Sequence, residues 1–449
     1  MISENSKKAG FLSRLFGYAA TTASNNRANI SKNLVSVDND LAPKDRDKAV
    51  SRLREHQKDF SIAGWGVRKH LDFVSEHTLS VKTSDKSLNK DLEAALSAQM
   101  EPAAFDIRGF HSLQSMTRLI EAHSTIDGDI FIQKLRNGQI QAIESDLVRT
   151  PNGVKNPEVY SHGCRLDPAG KPVSIAVHKR DGKNRFDFIG DVRYLNVFHH
   201  GNFQRVGQVR GVSPLMASCN DLQDVYENKA YGLAKSKLSQ MFGLALYRSG
   251  ADVDSEAPNP AKGPFILEMN GDDKAEFLSD KNPSKEWADF MTTVIAMALK
   301  SLDIPFSFYQ ENFTNFFGSK SALILYLKSC VSKRRSIKQR WLNPWTDWKL
   351  NFLKSTPEFR FLRDARNIPY KWISLGTPWS NPLQEVQASV MEIAMGMSSR
   401  ARKVSEIYGE DVYEIIDEIK QEEDYMRAAG VEIVQPSTLI QRESPQNEN

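Results

Sequence analysis

Ser213-Pro214 opens an uninterrupted helical run, LMASCNDLQDVYENKAYGLAKSKLSQMFGLALY, that continues to Tyr247. Proline suits a first helical turn, because the amide it lacks would be unpaired there in any case. At about 1.5 Å per residue the run predicts a rod of roughly 45 to 50 Å. Such a rod is too long for one small core. Helical spacing resumes over 284–302 and stops at Pro305. Between the two runs lies a loop-rich insert, 248–283, with eight acidic residues (Asp252, Asp254, Glu256, Glu268, Asp272, Asp273, Glu276, Asp280) against four basic ones (Arg248, Lys262, Lys274, Lys281).

The 449 residues suffice for more than one packed unit, at roughly 100 to 200 residues per domain. Lys and Arg total 59, Asp and Glu 56, and the formal charge of +3 is far from that of a protein that coats nucleic acid. Any DNA contact is therefore local. With 40% hydrophobic and 26% charged residues the chain is expected to fold rather than stay disordered. Cys164, Cys219 and Cys330 are far apart and form no Cys-x-x-Cys pair, which fits neither a disulfide framework nor a thiolate zinc site. Arg14 interrupts the apolar run near the N-terminus, against a secretion signal. The most apolar segment, 287–299, contains Asp289 and is shorter than the roughly 20 residues of a bilayer span. The expectation is a soluble protein of a reducing compartment, with no membrane partner.

Residues 1–45 read as a mobile arm holding at most one short amphipathic helix (Phe11, Leu12, Leu15, Phe16). From 43 to 76 the pattern is helix, a Gly-Trp-Gly break, then helix; 81–99 is mixed, and 106–128 is helical up to a glycine stop. The period then changes to two. DIFIQKLRNGQIQAIESDLVR alternates around Asn137-Gly138, a hairpin signal, and GCRLDPAGKPVSIAVHKR and DVRYLNVFHH add strands. These predict an antiparallel unit within a region 46–212 of mixed α/β character. An aromatic and polar loop, 304–318, leads to a helix over 319–342. Between 312 and 346 there are seven basic residues (Lys320, Lys328, Lys333, Arg334, Arg335, Lys338, Arg340) and no acid, whereas 410–424 holds eight acids and one Lys. Residues 382–430 read as helical, 431–449 as a loose tail, and no internal repeat is found. The fold class expected is α+β, mainly helical.

Several constellations invite chemistry. Asp127, Asp129, Glu144 and Asp146 flank the hairpin and, brought together, suit acid/base or magnesium chemistry of a nuclease or phosphotransferase. The structural reading, a helix-to-strand turn and a strand-end cap, is the stronger. His199-His200, His111 and His123 resemble metal ligands only in residue type. No Gly-x-Ser-x-Gly elbow occurs, and GQVRGVS lacks the Lys and spacing of a P-loop. The basic run 320–340 suits phosphate contact without sequence readout, as in a simple DNA-binding protein, or a solvated or subunit-facing surface. The aromatic segment Phe306, Phe308, Tyr309, Phe313, Phe316, Phe317, interleaved with Gln310, Asn312 and Asn315, suits either core or a loop facing a partner.

In order, the segments LIEAHSTIDGDIFIQKLRNGQIQAIESDLV, HGCRLDPAGKPVSIAVH, VFHHGNFQRVGQVRGVSPLMASCNDLQDVYENKAYGLAKSKLSQ, NFTNFFGSKSALILYLKSCVSKRRSIKQRWLNPWTDWKL and PWSNPLQEVQASVMEIAMGMSSRARKVSEIYGEDVYEIIDEI resemble tailed-bacteriophage portal proteins of the lambda type. The resemblance runs over 46–430. The chain departs from the family at 381–385, where NPLQE replaces an acidic residue followed by Pro-Lys-Glu, and at Cys164, where a Gly-Val pair is usual.

The resemblance implies a ring, typically of twelve copies, at one capsid vertex, with a channel for double-stranded DNA during packaging and ejection. It implies no enzyme activity and no cofactor. A wing would span 46–212, stem helices 213–247 and 284–303, a clip 248–283, a channel-facing loop 304–318, the long wing helix and following segment 319–381, and a helical crown 382–430. The acidic residues of the clip would dock the terminase large subunit and then head-completion or adaptor proteins. Major capsid protein and scaffold would be further partners, assembly would occur in the host cytoplasm, and the mature location would be the virion. The basic run would serve ring assembly more than DNA, meeting the acids of 410–424 within or between subunits.

Overall fold

The computed structural model describes residues 36–154, 159–182, 185–241, 244–247, 274–277, 285–311, 316–365, 367–376 and 382–430. Helix α1 (Pro43–Asp59) starts on a proline and ends at Phe60, whose extended backbone separates it from α2 (Ser61–Val74). The break thus falls earlier than the Gly-Trp-Gly reading placed it. Gly64 and Gly66 lie inside α2 as packing positions: a Cβ on Gly64 would stand 2.8 Å from the Gln57 carbonyl oxygen, and Gly66 faces Leu299, Leu302 and Ile304.

Strand β1 (His77–Val81) leads to α3 (Lys86–Met100), where the Asp85 carboxylate accepts the Ser87 and Leu88 amides. Helix α4 (Leu113–Ile126) begins later than expected, because Asp106 pairs with Ile140 as a β-bridge and the chain then loops through Gly109. It stops at Gly128, with φ of 99°. The hairpin follows: β2 (Asp129–Lys134) and β3 (Ile140–Glu144), with Gly138 at φ 87° and paired backbone groups on Leu135 and Gln139. This is the three-residue loop with a left-handed glycine.

Strands β4 (Tyr160–Ser161), β5 (Cys164–Leu166), β6 (Pro172–Arg180) and β7 (Phe186–Arg193) form an antiparallel sheet in that order. Strand β8 (Val197–Gly201) joins β2 and β3 in a second sheet, ordered β3, β2, β8. The segment read as one strand over 191–200 is therefore two, handed between sheets by the 3-10 turn Tyr194–Asn196.

The long helix expected from 214 to 247 is also shorter than the sequence suggested. Pro214–Ser218 is a 3-10 turn whose Leu215 amide donates to Ser213 Oγ, α5 occupies Cys219–Met241, and β9 (Leu244–Tyr247) pairs with β10 (Lys274–Phe277). Leu-Ala-Leu-Tyr after a glycine reads equally as helix or strand, and its partner lies a whole insert away. Helix α6 (Lys285–Leu299) ends in a 3-10 turn closed by Asp303 at φ 61°, ahead of Pro305. A short turn, Phe306–Gln310, precedes α7 (Phe316–Ile337), which runs through a π-helical turn, Lys338–Leu342, into α8 (Asn343–Leu353). Pro344 has no amide to give Arg340, and the wider turn just ahead accommodates its ring. Strand β11 (Tyr370–Ser374) pairs antiparallel with β1. Helices α9 (Pro382–Ala394), α10 (Arg400–Ile407) and α11 (Val412–Ala429) follow, the last capped by Asp411 and closed by Gly430.

The chain divides into two compact units: Met1–Leu71 with Ile120–Gln133 and Ala142–Ser329, and Asp72–Leu119 with Lys134–Gln141 and Cys330–Asn449. In the first, Phe131, Ile143, Val148, Cys164, Ile175 and Val177 fill the sheet core. Helix α5 meets α6 where Gly232 leaves room for Trp287, to whose ring an added Cβ would come within 3.0 Å. In the second, Val81, Leu92, Leu96, Leu350, Leu353 and Phe359 pack together. There Trp341 Nε1 donates to Thr117 Oγ1, and Trp372 Nε1 to Thr346 Oγ1. The architecture is α+β and mainly helical. Among the described residues no helix is long and apolar enough to cross a membrane.

Candidate functional site

The hairpin carboxylates do converge, but on guanidinium groups. Asp129, at the start of β2, is fully buried. Its Oδ1 accepts from Arg46 Nη2 at 3.1 Å, Ser145 Oγ at 2.6 Å and Arg210 Nη2 at 2.9 Å. Its Oδ2 accepts from Arg210 Nε at 2.7 Å and the Gly211 amide at 2.8 Å, with His199 Nε2 at 3.2 Å. Glycine is required beside it, since a Cβ on Gly211 would lie 2.0 Å from the Gly128 oxygen. Burial pushes the Asp129 carboxyl up, but the charges of Arg210 and Arg46 outweigh it and hold the group well below the usual range.

Arg54 of α1 grips Asp127 through two nitrogens, at 2.8 and 2.6 Å, and also reaches Asp146 at 3.0 Å and Glu144 at 3.2 Å. Arg180 of β6 pairs with Asp146 as well, and His123 Nδ1 lies 2.7 Å from Asp127. A divalent cation at these carboxylates would have to displace arginine. Among the described residues no cluster of three or more His, Cys, Asp or Glu could hold a metal ion. The acid/base and magnesium reading of Asp127, Asp129, Glu144 and Asp146 is corrected accordingly: all four are held in ion pairs with arginine, Asp127 and Asp129 on either side of the Gly128 helix-to-strand turn and Asp146 in the 3-10 turn that follows β3. Arg46, Arg54 and Arg210 lie 73 to 92 residues from these carboxylates in sequence, whereas Arg180 is 34 residues from Asp146 and His123 one helical turn from Asp127.

The histidines are absorbed in the same manner. Buried Glu121 of α4 lies 2.9 Å from both His70 Nε2 and His200 Nε2. Burial raises its carboxyl, yet the hydrogen bonds from His200 and His70 prevail and bring it down to about 2. His199 stacks on Phe131 at 4.2 Å, and His111 stands in the loop before α4. The three cysteines are buried and none is in a disulfide; burial pushes Cys164 up to about 12 and Cys219 to about 11.

The basic run divides by role. Arg334 Nε donates to the Phe73 carbonyl at 2.7 Å and Lys338 Nζ to that of Trp372 at 2.8 Å. Burial, with Arg334 and Lys371 nearby, lowers Lys338 to about 8. Lys320 and Lys333 are half-buried, while Lys328, Arg335 and Arg340 are exposed. The acids at the start of α11 take their contacts from β1, α3 and the residues between: Lys82 with Asp411 at 2.5 Å, Ser80 Oγ with Glu414 at 2.7 Å, and Lys86 with Asp417 at 2.9 Å. Within the chain, these acids therefore meet Lys82 and Lys86 rather than the basic run.

Part of the aromatic segment is packed. Phe306 tilts on Tyr309, Tyr309 stands edge-on to Trp65 at 6.0 Å, and Phe308 edge-on to Tyr326 at 5.5 Å. Gln310 is exposed. Asn312, Phe313, Asn315 and the side chains of Phe316 and Phe317 lie outside the described residues, as do Asp252, Asp254, Glu256, Glu268, Asp272, Asp273 and Asp280; Glu276 sits in β10 opposite Ala245.

Apolar side chains, by contrast, stand uncovered on the long helices: Tyr231 and Leu233 of α5, Phe290 and Met297 of α6, Leu383, Val390 and Met391 of α9. The chain belongs to the phage portal proteins of the lambda family, whose sequence model matches residues 24–328. It is thus a component of a capsid portal. No curated protein matches it. Among solved structures it is similar, at 12% identity and a TM-score of 0.48, to a chain of the virion of a native gene transfer agent (GTA) particle, covering 79% of this chain and 91% of that one. It is also similar to a chain in the neck of the native GTA particle computed with C12 symmetry, at 13% identity, a TM-score of 0.45, and coverage of 81% and 93%.

Proposed function

We propose that twelve copies of this chain close into a ring at one capsid vertex, through which double-stranded DNA is packaged and later ejected, with no bond-breaking step of its own. The family match over residues 24–328 carries this reading. In it, α5 and α6 form the stem, the acidic insert 248–283 forms the clip that docks terminase and then the head-completion proteins, and 382–430 forms the crown. Major capsid protein and scaffold hold the outer wing, and assembly takes place in the host cytoplasm.

A conduit for DNA must not grip it. About ten neutralised phosphates shift affinity by roughly 10³ to 10⁵ over a modest change in salt, and a ring multiplies each charge by its copy number. The channel wall is accordingly acidic or mixed, and residues 306–318 give steric contact with little affinity. The docking role is tested by changing Asp252, Asp254, Glu256, Asp272 and Asp273 to their amides and measuring binding of the terminase large subunit to the purified ring. The expected result is at least tenfold weaker binding by intact rings. Unchanged binding removes the insert from the docking surface.

A further inference from the structure

We infer that the acidic and apolar face of α11 in one copy seats on the basic and apolar stripe of α7 in the next, making a head-to-tail contact of the ring. The inference rests on the ring proposed above. On α7, Ile324, Lys328, Val331 and Arg335 recur at steps of four, three and four residues, which places them on one face of the helix. All four are exposed. The other cations near them serve the chain itself, Arg334 and Lys338 through backbone carbonyls.

On α11 the same spacing occurs with the opposite charge. Val412 is buried, and the line it starts continues as Ile416, Ile419 and Glu423, all exposed, with Glu422 alongside. The earlier acids of this helix are engaged with Lys82, Lys86 and Ser80, which leaves the later ones facing solvent. Each stripe runs about 16 Å at 1.5 Å per residue.

A closed ring needs two different surfaces on every subunit, and one chain carries both of these. Pairing like with like would set Lys328 and Arg335 against their own copies, or Glu422 and Glu423 against theirs. Pairing unlike stripes buries the isoleucines and valine and sets Lys328 and Arg335 against Glu422 and Glu423, with Lys420 at the opposite margin of the α11 line, so that apolar area supplies affinity and charge selects the partner. A DNA backbone on α7 would neutralise the cations but leave Ile324 and Val331 in water. Another copy of the chain satisfies both.

The test uses the full chain and counts rings by mass photometry, with thermal melting followed by circular dichroism to confirm folded subunits. K328E/R335E and E422K/E423K are each expected to raise the concentration needed for half-assembly at least tenfold without changing the melting point. The four substitutions combined are expected to bring it back to within about threefold of the unaltered chain. The interface is overturned if either pair assembles normally, if the combination assembles no better than its parts, or if K328E/R335E rings form normally and lose only DNA retention. Failure of the unaltered chain to form rings under any condition overturns the ring itself, and this contact with it.

Discussion

Asp129 lies out of reach of water and takes hydrogen bonds from Arg46, Arg210, Ser145 and the Gly211 amide, whereas Glu422 and Glu423 of α11 stand in solvent beside exposed Ile416 and Ile419. The same residue class is used in two ways. Around β2, β3 and β8 charge is buried only where it is paired, so those residues determine whether the chain folds. On α9 and α11 apolar groups such as Leu383, Val390, Ile416 and Ile419, and the acids Glu422 and Glu423, are left exposed. In the ring proposed above, the contrast separates residues that hold a subunit together from residues that address another molecule.

The contrast predicts a graded series. Asp129→Ala leaves two buried guanidinium groups facing each other and should cost about 3–5 kcal/mol, the range for a broken buried pair; denaturant unfolding reads it, and a loss under about 1 kcal/mol would erase the distinction. Glu121 comes next. Its folded pKa of about 2, against 4.5 ordinarily, corresponds to about 3 kcal/mol of stability. Because the folded value is depressed, that stability is complete above pH 4.5 and lost as the pH falls toward 2. Glu121→Gln should therefore flatten the acid limb of a stability–pH curve within this window.

Gly211→Ala forces a Cβ into the Gly128 carbonyl and should cost about 1–3 kcal/mol, the usual range for overpacking, visible as a lower melting temperature. Asp411→Asn keeps an oxygen to cap α11 but gives up the pair with Lys82, a partly exposed contact worth about 0.2–1 kcal/mol. At the far end of the scale, L383S/V390S/M391S should leave subunit stability within about 0.5 kcal/mol while reducing assembly. Destabilisation by more than 1 kcal/mol would place these residues in a core.

Much of the local structure was legible. Asn137-Gly138 marked the hairpin, Gly128 the helix stop, Pro305 the end of α6, and alternation in 172–180 a strand, because each depends on neighbours in sequence. Elements failed where distant partners decide. Leu244–Tyr247 becomes a strand through Lys274–Phe277, and Gly64 and Gly66 serve close packing rather than a break. The carboxylate cluster was visible, but Arg46, Arg54 and Arg210, which define its role, were not. Their side chains reach it only after α1 and the loop behind β8 have docked. Among the basic residues, nothing in the sequence separated Arg334 and Lys338, which bind backbone carbonyls, from exposed Lys328 and Arg335. Neutralising all four together would confuse folding with assembly. Periodicity likewise marks the apolar faces of α9 and α11 without telling a core from an interface.

The most direct measurement is the mass of the purified full-length particle in solution. The account predicts a closed species of about 600 kDa, twelve times the 50.7 kDa chain. A monomer or dimer at every concentration and salt condition tried would contradict it.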